Sequence, residues 1–244
     1  MTTKTWYKHE LDTVRTMLST CIGPKWGERP EERIDEIRAS RYGYGKKICS
    51  VLEINDQDTV ADFGSGCGFV TRAACELAQQ VHCIDLNLAF LDFTRNELSD
   101  FNNTSFHHIG YASIPNIENE SVDKVFSTAV FIHFLYYDVL FNLIELNRIL
   151  KPGGLLHFDI LDADAISLEH ATAFKNHALM YKGTVRGDGN TLQPFSLGAL
   201  KKLAPQLGFE VLGASHINGA DDVAEILLKK TGKPQLPEWL KQII

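Results

Sequence analysis

The sequence predicts an α/β fold built on an open, mostly parallel sheet with helices on both faces. An apolar run at residues 60–63 changes abruptly into glycines at alternate positions, Gly64, Gly66 and Gly68. Glycine permits positive φ angles and leaves bare backbone for a ligand, so a strand should end at Phe63 and a helix begin near Gly68. Short β-like runs then alternate with amphipathic helical runs as far as residue 160, an order typical of parallel sheets.

Composition limits the number of domains and the class of partner. The chain of 244 residues is 44% hydrophobic and carries 31 acidic against 24 basic residues, a formal charge of −7. Without a linker, repeat or low-complexity tract, one α/β domain with additions is expected. The acidic excess and the lack of a Lys/Arg stripe disfavour nucleic acid as a partner, although a local basic patch can coexist with a negative total.

The sequence suggests no secretion signal, membrane span or disulfide framework. The first residues lack the apolar core of a signal peptide, and no apolar run is long enough to cross a bilayer. The five cysteines are odd in number and form no C-x-x-C pair, so neither a disulfide network nor a zinc site is predicted. We therefore expect a soluble cytoplasmic protein without a metal, as a monomer or homodimer.

Helices are expected before the glycine loop, at residues 6–20 and from about Pro30, with an interruption at 41–45 around Gly43 and Gly45. After the loop, the expected strands are 81–85, 104–109, 122–127 and 155–160, and the expected helices are 69–80, 88–98 and 138–150. Lys-Pro-Gly-Gly at 151–154 should end the last helix. A segment without periodicity, 161–194, precedes a helix capped by Ser196 and two strands at 209–217 and 223–229.

The spacing of the glycines argues against a dinucleotide site. The pattern G-x-G-x-x-G would place its third glycine at position 69, where this chain has Phe69. An ordinary strand-to-helix turn is the alternative for glycines alone. The spacing D-x-G-x-G-x-G, from Asp62 to Gly68, resembles motif I of the class I (Rossmann-like) S-adenosylmethionine-dependent methyltransferases. The run R-I-L-K-P-G-G at 148–154 resembles the signature that precedes the fifth strand in the same family.

This resemblance implies the three-layer Rossmann-like methyltransferase fold, with seven strands in the order 3-2-1-4-5-7-6, the last strand antiparallel. It implies a single methyltransferase domain over 1–244. Its parts would be an N-terminal helical cap at 1–45, a cofactor-binding core at 46–160, a substrate-covering insertion at 161–194, and a C-terminal helix and hairpin at 195–230. The cofactor would be S-adenosyl-L-methionine, with S-adenosyl-L-homocysteine as its product.

The resemblance also implies a set of cofactor-binding residues in the cap, the glycine loop and the ends of three later strands: Arg41, Tyr44, Asp62, Gly64, Ser65, Gly66, Gly68, Asp85, Leu86, Gly110, Tyr111, Ala112, Ser127 and Thr128. For Arg41 and Tyr44 the alternative is an exposed kink with packing tyrosines. Tyr111 stands where the family has an acid that accepts from the adenine amino group, which leaves the purine contact open.

Asp85 is the candidate for binding the ribose. It follows a short strand and lies 17 residues beyond Gly68, close to the usual place of a ribose-binding carboxylate. An ionised carboxylate can accept from both ribose hydroxyls. The alternative is a helix N-cap, a role for which Asn87 is better placed.

The leading functional hypothesis is methyl transfer to a small-molecule acceptor; the alternatives are a protein methyltransferase and a non-catalytic S-adenosylmethionine-binding module. His133, in a run that resembles the family's V-L-x-H-L, is the candidate general base, against a buried structural histidine. The cap and residues 161–194 are expected to form the acceptor pocket. The acceptor and the methylated atom stay open, because a sulfonium leaving group is already activated.

Overall fold

The strands of the protein form one mostly parallel sheet. The computed structural model describes residues 15, 18, 29–110, 113–166, 192–217 and 220–241. The strands are β1 Thr59–Phe63, β2 Gln80–Asp85, β3 Thr104–His108, β4 Val122–Ser127, β5 Leu150–Asp162, β6 Pro194–Phe195, β7 Phe209–Ile217 and β8 Ala220–Lys230. Their order is β3-β2-β1-β4-β5-β8-β7, with the short β6 paired to β5 beside this path.

The strand directions confirm the predicted topology. Strands β1 to β5 pair in parallel, whereas β8 runs antiparallel to both β5 and β7. Without the two-residue β6, the order is the expected 3-2-1-4-5-7-6 with an antiparallel last strand. The chain leaves β1 toward β2 and later returns to its other side as β4, so a crevice opens between these strands at their carboxyl ends. This switch point is where open α/β sheets bind ligands.

Helices cover both faces of the sheet. They are α1 Ile34–Val51, which follows a 3-10 turn at Pro30–Arg33, then α2 Thr71–Cys75, α3 Leu88–Glu97, α4 Tyr136–Ile149, α5 Leu197–Leu203 and α6 Glu238–Lys241. Along β1, Val60 packs with the layer of α1, α2 and α3, whereas the next residue, Ala61, packs with the layer of α4 and α5. This alternation places two cores around one sheet and confirms the three-layer fold. No described helix is both long enough and apolar enough to span a membrane.

Helix α1 differs from the sequence prediction. The expected interruption at 41–45 is wrong, because α1 continues without a break from Ile34 to Val51. Gly43 borders open space, whereas a Cβ added to Gly45 would lie 2.5 Å from the carbonyl oxygen of Val70. Gly45 therefore lets α1 approach the start of α2 closely, a tertiary requirement that a local breaker signal does not reveal.

The junction of α4 and β5 also differs from expectation. Helix α4 ends at Ile149 before the proline, as predicted, but β5 begins at once at Leu150 and includes the Lys-Pro-Gly-Gly run. Leu150 already pairs with Val122, and the β4–β5 register then shifts between Val122 and Lys124. Pairing with β4 therefore extends the strand through residues whose local sequence indicates a loop. Helix α2 covers less than the predicted 69–80.

Candidate functional site

The loop after β1 forms one wall of the crevice, and its glycines have the predicted conformation. Gly64, Gly66 and Gly68 have φ angles of 81°, 52° and 75°. A Cβ on Gly64 would lie 2.2 Å from Val130 Cγ2, and one on Gly68 would lie 2.8 Å from Thr94 Cγ2. Glycine is thus required by backbone conformation and by space, and the loop amides lie close under the surface of the crevice.

Two buried acids, Asp62 and Asp85, form hydrogen bonds within and beside this loop. Asp62, at the end of β1, accepts a 2.5 Å hydrogen bond from the Thr71 hydroxyl at the start of α2. Asp85, at the end of β2, accepts from the amide of Gly66 at 2.9 Å and from that of Asn87 at 2.8 Å. Burial raises the pKa of Asp85, and the hydrogen bonds from these amides oppose that rise. The carboxylate of Asp85 is therefore directed at the glycine loop.

The capping alternative for Asp85 is resolved in favour of Asn87. The Asn87 side chain accepts from the Ala89 amide at 2.9 Å and is the N-cap of α3. The predicted cap of α5 is confirmed in the same way, because Ser196 accepts from the Ala199 amide. Asp85 is therefore not the N-cap of α3.

The crevice brings together residues from three parts of the chain. Its lining is Arg41 from α1, Asp62 at the end of β1 with Gly64, Ser65, Cys67, Gly68, Phe69 and Val70 after it, and Thr128 and Ala129 after β4. The buried hydroxyl of Ser65 has no hydrogen-bond partner among the residues that the structure describes. A buried polar atom without a partner and a glycine cradle are both features of a site for a polar ligand.

Other predicted residues lie around this crevice. The Ser127 hydroxyl donates to the Phe63 carbonyl at 2.7 Å and thereby joins the ends of β4 and β1. Leu86 is 49% exposed beside Asp85, and Gly110 forms a bridge with Ser113. His133 is half-buried in a 3-10 turn, Phe131–His133, and its role as a base stays a prediction. The predicted Tyr111 and Ala112 lie outside the described residues.

Tyr44, a predicted cofactor contact, binds a residue of the sheet. Its hydroxyl donates to Glu225 of β8 at 2.8 Å, and burial raises its pKa. Lys47, one turn further along α1, also binds Glu225, at 2.9 Å. Tyr44 and Lys47 therefore dock α1 on the antiparallel strand, while Arg41 of the same helix faces the crevice.

Sequence reasoning missed Asp159. This buried residue of β5 accepts from the Ala129 amide with both carboxylate oxygens, at 2.9 and 3.0 Å. Burial raises the pKa of Asp159 to about 6. Ala129 has a φ of 56°, a left-handed conformation that costs a non-glycine residue on the order of 1–3 kcal/mol. The signal was an acid within an apolar strand, but its partner could not be inferred from the sequence.

The predicted acceptor pocket lies mostly outside the described residues. Only Arg15 and Leu18 of positions 1–28 are described, and residues 167–191 are not. Leu18 is fully buried against Cys67 and Phe69 of the glycine loop, so this part of the cap contacts the crevice wall. Within the described part of the chain, no three His, Cys, Asp or Glu side chains come together as metal ligands.

Comparison with known sequences identifies the core. A family model described as a methyltransferase domain matches residues 61–158. Ribosomal RNA small subunit methyltransferase A of Syntrophus aciditrophicus is 22% identical over 131 residues, which are 52% of this chain and 47% of that protein. The enzyme of the same name from Clostridium botulinum is 36% identical over 61 residues, 25% of this chain and 22% of that protein. The chain thus spans about half, or less, of these curated relatives.

Solved structures share the fold over most of the chain. A chain of the complex between the Haloferax volcanii Trm112 methyltransferase activator and a methyltransferase has a TM-score of 0.64 at 18% identity, covering 82% of this chain and 95% of its own. Phosphoethanolamine N-methyltransferase 1 of Haemonchus contortus, solved with phosphoethanolamine and S-adenosylhomocysteine, has a TM-score of 0.62 at 17% identity, covering 94% and 50%. The domain match assigns residues 61–158 to the methyltransferase domain family, and the solved structures show that the chain has the class I methyltransferase fold.

Proposed function

We propose that this protein binds S-adenosylmethionine in the crevice between β1 and β4 and transfers its methyl group to a small-molecule acceptor. The observation that carries the proposal is the glycine loop, in which positive φ angles at Gly64 and Gly68 coincide with the Asp85 contact to Gly66. The buried hydroxyl of Ser65, without a partner among the described residues, supports a polar ligand at the same place.

The nucleoside end of the cofactor is assigned to the carboxyl ends of β2 and β3. Each oxygen of Asp85 accepts one backbone amide, and a carboxylate has lone pairs for about four hydrogen bonds. Asp85 can therefore also accept from the two ribose hydroxyls. Asp85 pairs with His108 in the β2–β3 register, so Leu86 and Gly110, which follow these residues, come from neighbouring strand ends. The exposed side chain of Leu86 offers an apolar surface for the purine.

The methionine end is assigned to the part of the crevice that Arg41 lines together with Asp62 and Ser65. A guanidinium binds a carboxylate through two parallel hydrogen bonds, so Arg41 suits the α-carboxylate of the methionine portion. Helix α1 holds Arg41 there, because Tyr44 and Lys47 attach the same helix to Glu225. In this assignment the bound cofactor would span from β3 to α1 across the glycine loop.

Bound S-adenosylmethionine supplies a methyl group on a positively charged sulfur, so its leaving group is already activated. The protein has to align the acceptor and exclude water from the transfer. Thr128 and Ala129 line the crevice opposite the glycine loop and are assigned to the acceptor side. His133, four residues after Ala129, is the candidate to take a proton from an acceptor that arrives protonated.

Small-molecule acceptors are favoured by the formal charge of −7, since nucleic-acid binding requires neutralisation of phosphates. The similar phosphoethanolamine N-methyltransferase, which covers 94% of this chain, was solved with a small acceptor. Ribosomal RNA is the second candidate, because the curated relatives are named ribosomal RNA methyltransferases.

The test is transfer of tritiated methyl groups from S-adenosylmethionine into three separated fractions: desalted metabolites, total protein and ribosomal RNA. We expect label in the metabolite fraction and none above background in the other two. Label in ribosomal RNA or protein would replace the acceptor proposed here. Binding of S-adenosylhomocysteine without label in any fraction would favour a non-catalytic module.

A further inference from the structure

Asp159 connects the sheet to the backbone bend that follows β4. Asp159 is 6% exposed and lies on β5, next to β4 in the sheet. Both of its oxygens accept from the Ala129 amide, at 2.9 and 3.0 Å. Ala129 is in the left-handed region, with a φ of 56°. An alanine adopts this conformation only when its surroundings hold it there, and the bond to Asp159 is one such restraint.

The bend held in this way contacts the glycine loop. Thr128 and Ala129 line the crevice directly. The next residue, Val130, packs so closely on Gly64 that an added Cβ there would lie 2.2 Å from Val130 Cγ2. A change in the backbone at Ala129 would therefore move both the acceptor side of the crevice and the side chain that supports its cofactor loop.

Ionisable groups of several elements lie near Asp159, and the Ala129 amide binds its carboxylate. Glu225 of β8 is its cross-strand neighbour and is engaged by Tyr44 and Lys47 of α1. His157 lies two residues earlier on β5, and Arg41 of α1 favours ionisation of Asp159. Burial and Glu225 oppose ionisation, whereas the Ala129 amide stabilises the carboxylate. The Ala129 amide is the donor that binds both of its oxygens.

We propose that Asp159 is a positioning residue for methyl transfer, whose carboxylate holds the left-handed bend at Ala129 and thereby sets the spacing between the acceptor wall and the glycine loop. The inference rests on the proposed function. The proposed role requires that the side chain at position 159 supply an oxygen that accepts the Ala129 amide. It requires neither a negative charge nor a particular side-chain volume. Asparagine can supply that oxygen, whereas alanine cannot.

The experiment is calorimetric titration of S-adenosylhomocysteine into the wild type, D159A, D159N and the double variant D159A/A129G. We expect D159A to weaken binding about tenfold, and D159N to stay within about threefold. Adding A129G to D159A should restore most of the affinity, because glycine adopts the left-handed conformation without help from a side chain.

The matched control is D123A. Asp123 also accepts from a backbone amide of a neighbouring strand, that of Thr59 at 2.9 Å, but near the opposite, amino-terminal edge of the sheet. D123A should lower the melting temperature and leave the affinity unchanged. A general loss of packing would weaken binding in both aspartate variants and would not be rescued by glycine.

The outcomes separate the two proposals. A wild type that does not bind S-adenosylhomocysteine overturns the proposed function and this inference with it. A wild type that binds, with equal affinity in D159A or no rescue by A129G, overturns the inference alone. If D159A does not fold, hydrogen exchange of the Ala129 amide in the wild type decides: slow exchange supports the bond, and exchange at the random-coil rate overturns it.

Discussion

Two regions around the crevice, the glycine loop and the bend after β4 with the neighbouring α1, are built in different ways. Around the glycine loop, the contacts join residues close in sequence: Asp85 and Gly66 are 19 positions apart, and Asp62 and Thr71 are 9 apart. In the second region, Asp159 reaches Ala129 over 30 positions, and Tyr44 reaches Glu225 over 181. The first region is formed by neighbouring parts of the chain, whereas the second forms only when distant elements meet.

This difference suggests why family membership is easier to recognise than the acceptor. A cofactor loop made of backbone amides and glycines tolerates few alternatives, because φ angles and close approach leave little choice of residue. The side of the crevice built from α1, β4, β5 and β8 depends on side-chain contacts, which can change one at a time on the same scaffold. We therefore expect variants in the two regions to differ in which part of the cofactor they affect.

The largest effect is expected for G64A. The variant places a side chain at a φ of 81° and 2.2 Å from Val130 Cγ2, so S-adenosylhomocysteine binding should fall by about 100-fold or more, roughly 2.7 kcal/mol. G153A is the control, since Gly153 also has a φ of 81° but nothing within 4 Å of its added Cβ. It should lose stability without losing affinity in the same titration. Equal affinities for G64A and the wild type would remove the glycine loop from the site.

D85A should weaken S-adenosylhomocysteine binding by roughly 1.5–3 kcal/mol, the range for a hydrogen bond to a charged group. Because Asp85 also holds the Gly66 amide, the titration is repeated with the 2′,3′-dideoxy analogue of the ligand. If Asp85 binds the ribose, the variant should discriminate poorly between the two ligands. The same loss for both would mean that Asp85 acts only by holding the loop.

R41A should weaken S-adenosylhomocysteine binding about tenfold. It should leave 5′-methylthioadenosine unaffected, because that ligand lacks the amino-acid portion. R33A is the control, since Arg33 precedes α1 and forms an exposed pair with Glu36 at 2.7 Å. Equal losses for both ligands in R41A would mean that α1 supports the crevice as a whole instead of binding the methionine end.

The smallest effects are expected for the dependence of folding stability on pH, to which His82 and Asp159 should contribute with opposite signs. Burial, together with the neighbouring His107, lowers the pKa of His82 on β2 from 6.5 to about 4. Between pH 6.5 and about 4 the unfolded chain therefore binds more protons than the folded protein. Because of His82, the free energy of unfolding falls as pH falls through this range. Burial raises the pKa of Asp159 from 3.8 to about 6, so the folded state binds more protons and gains stability as pH falls from 6.

Urea denaturation at pH 5 and pH 7 separates these contributions. H82N should lose less stability on acidification than the wild type, whereas D159N should lose more. Changes of the same sign in both variants would contradict the assignment of one of the two groups. E53Q is a suitable control because Glu53 is exposed on the turn after α1, where neither group contacts it.

The sequence by itself determined the elements that depend on short windows. Gly64 and Gly68 indicated a strand-to-helix turn, because only glycine readily adopts their positive φ angles, and that turn was found. The run 209–217 indicated a strand, and β7 has these limits. Together with R-I-L-K-P-G-G, the resemblance implied the observed strand order. Asp85 was placed correctly at the end of β2, although its ribose contact stays a prediction.

Only the tertiary structure decided the contacts between distant elements. The glycine that indicated a break in α1, Gly45, instead allows a close approach to Val70. Tyr44 of α1 donates to Glu225 of β8, and Asp159 accepts from the amide of Ala129, a residue in the left-handed conformation. Periodicity and φ preference belong to the local chain, so a sequence records them directly. Steric fit and the pairing of buried charges depend on which elements the fold makes neighbours, and those neighbours are known only once the chain is folded.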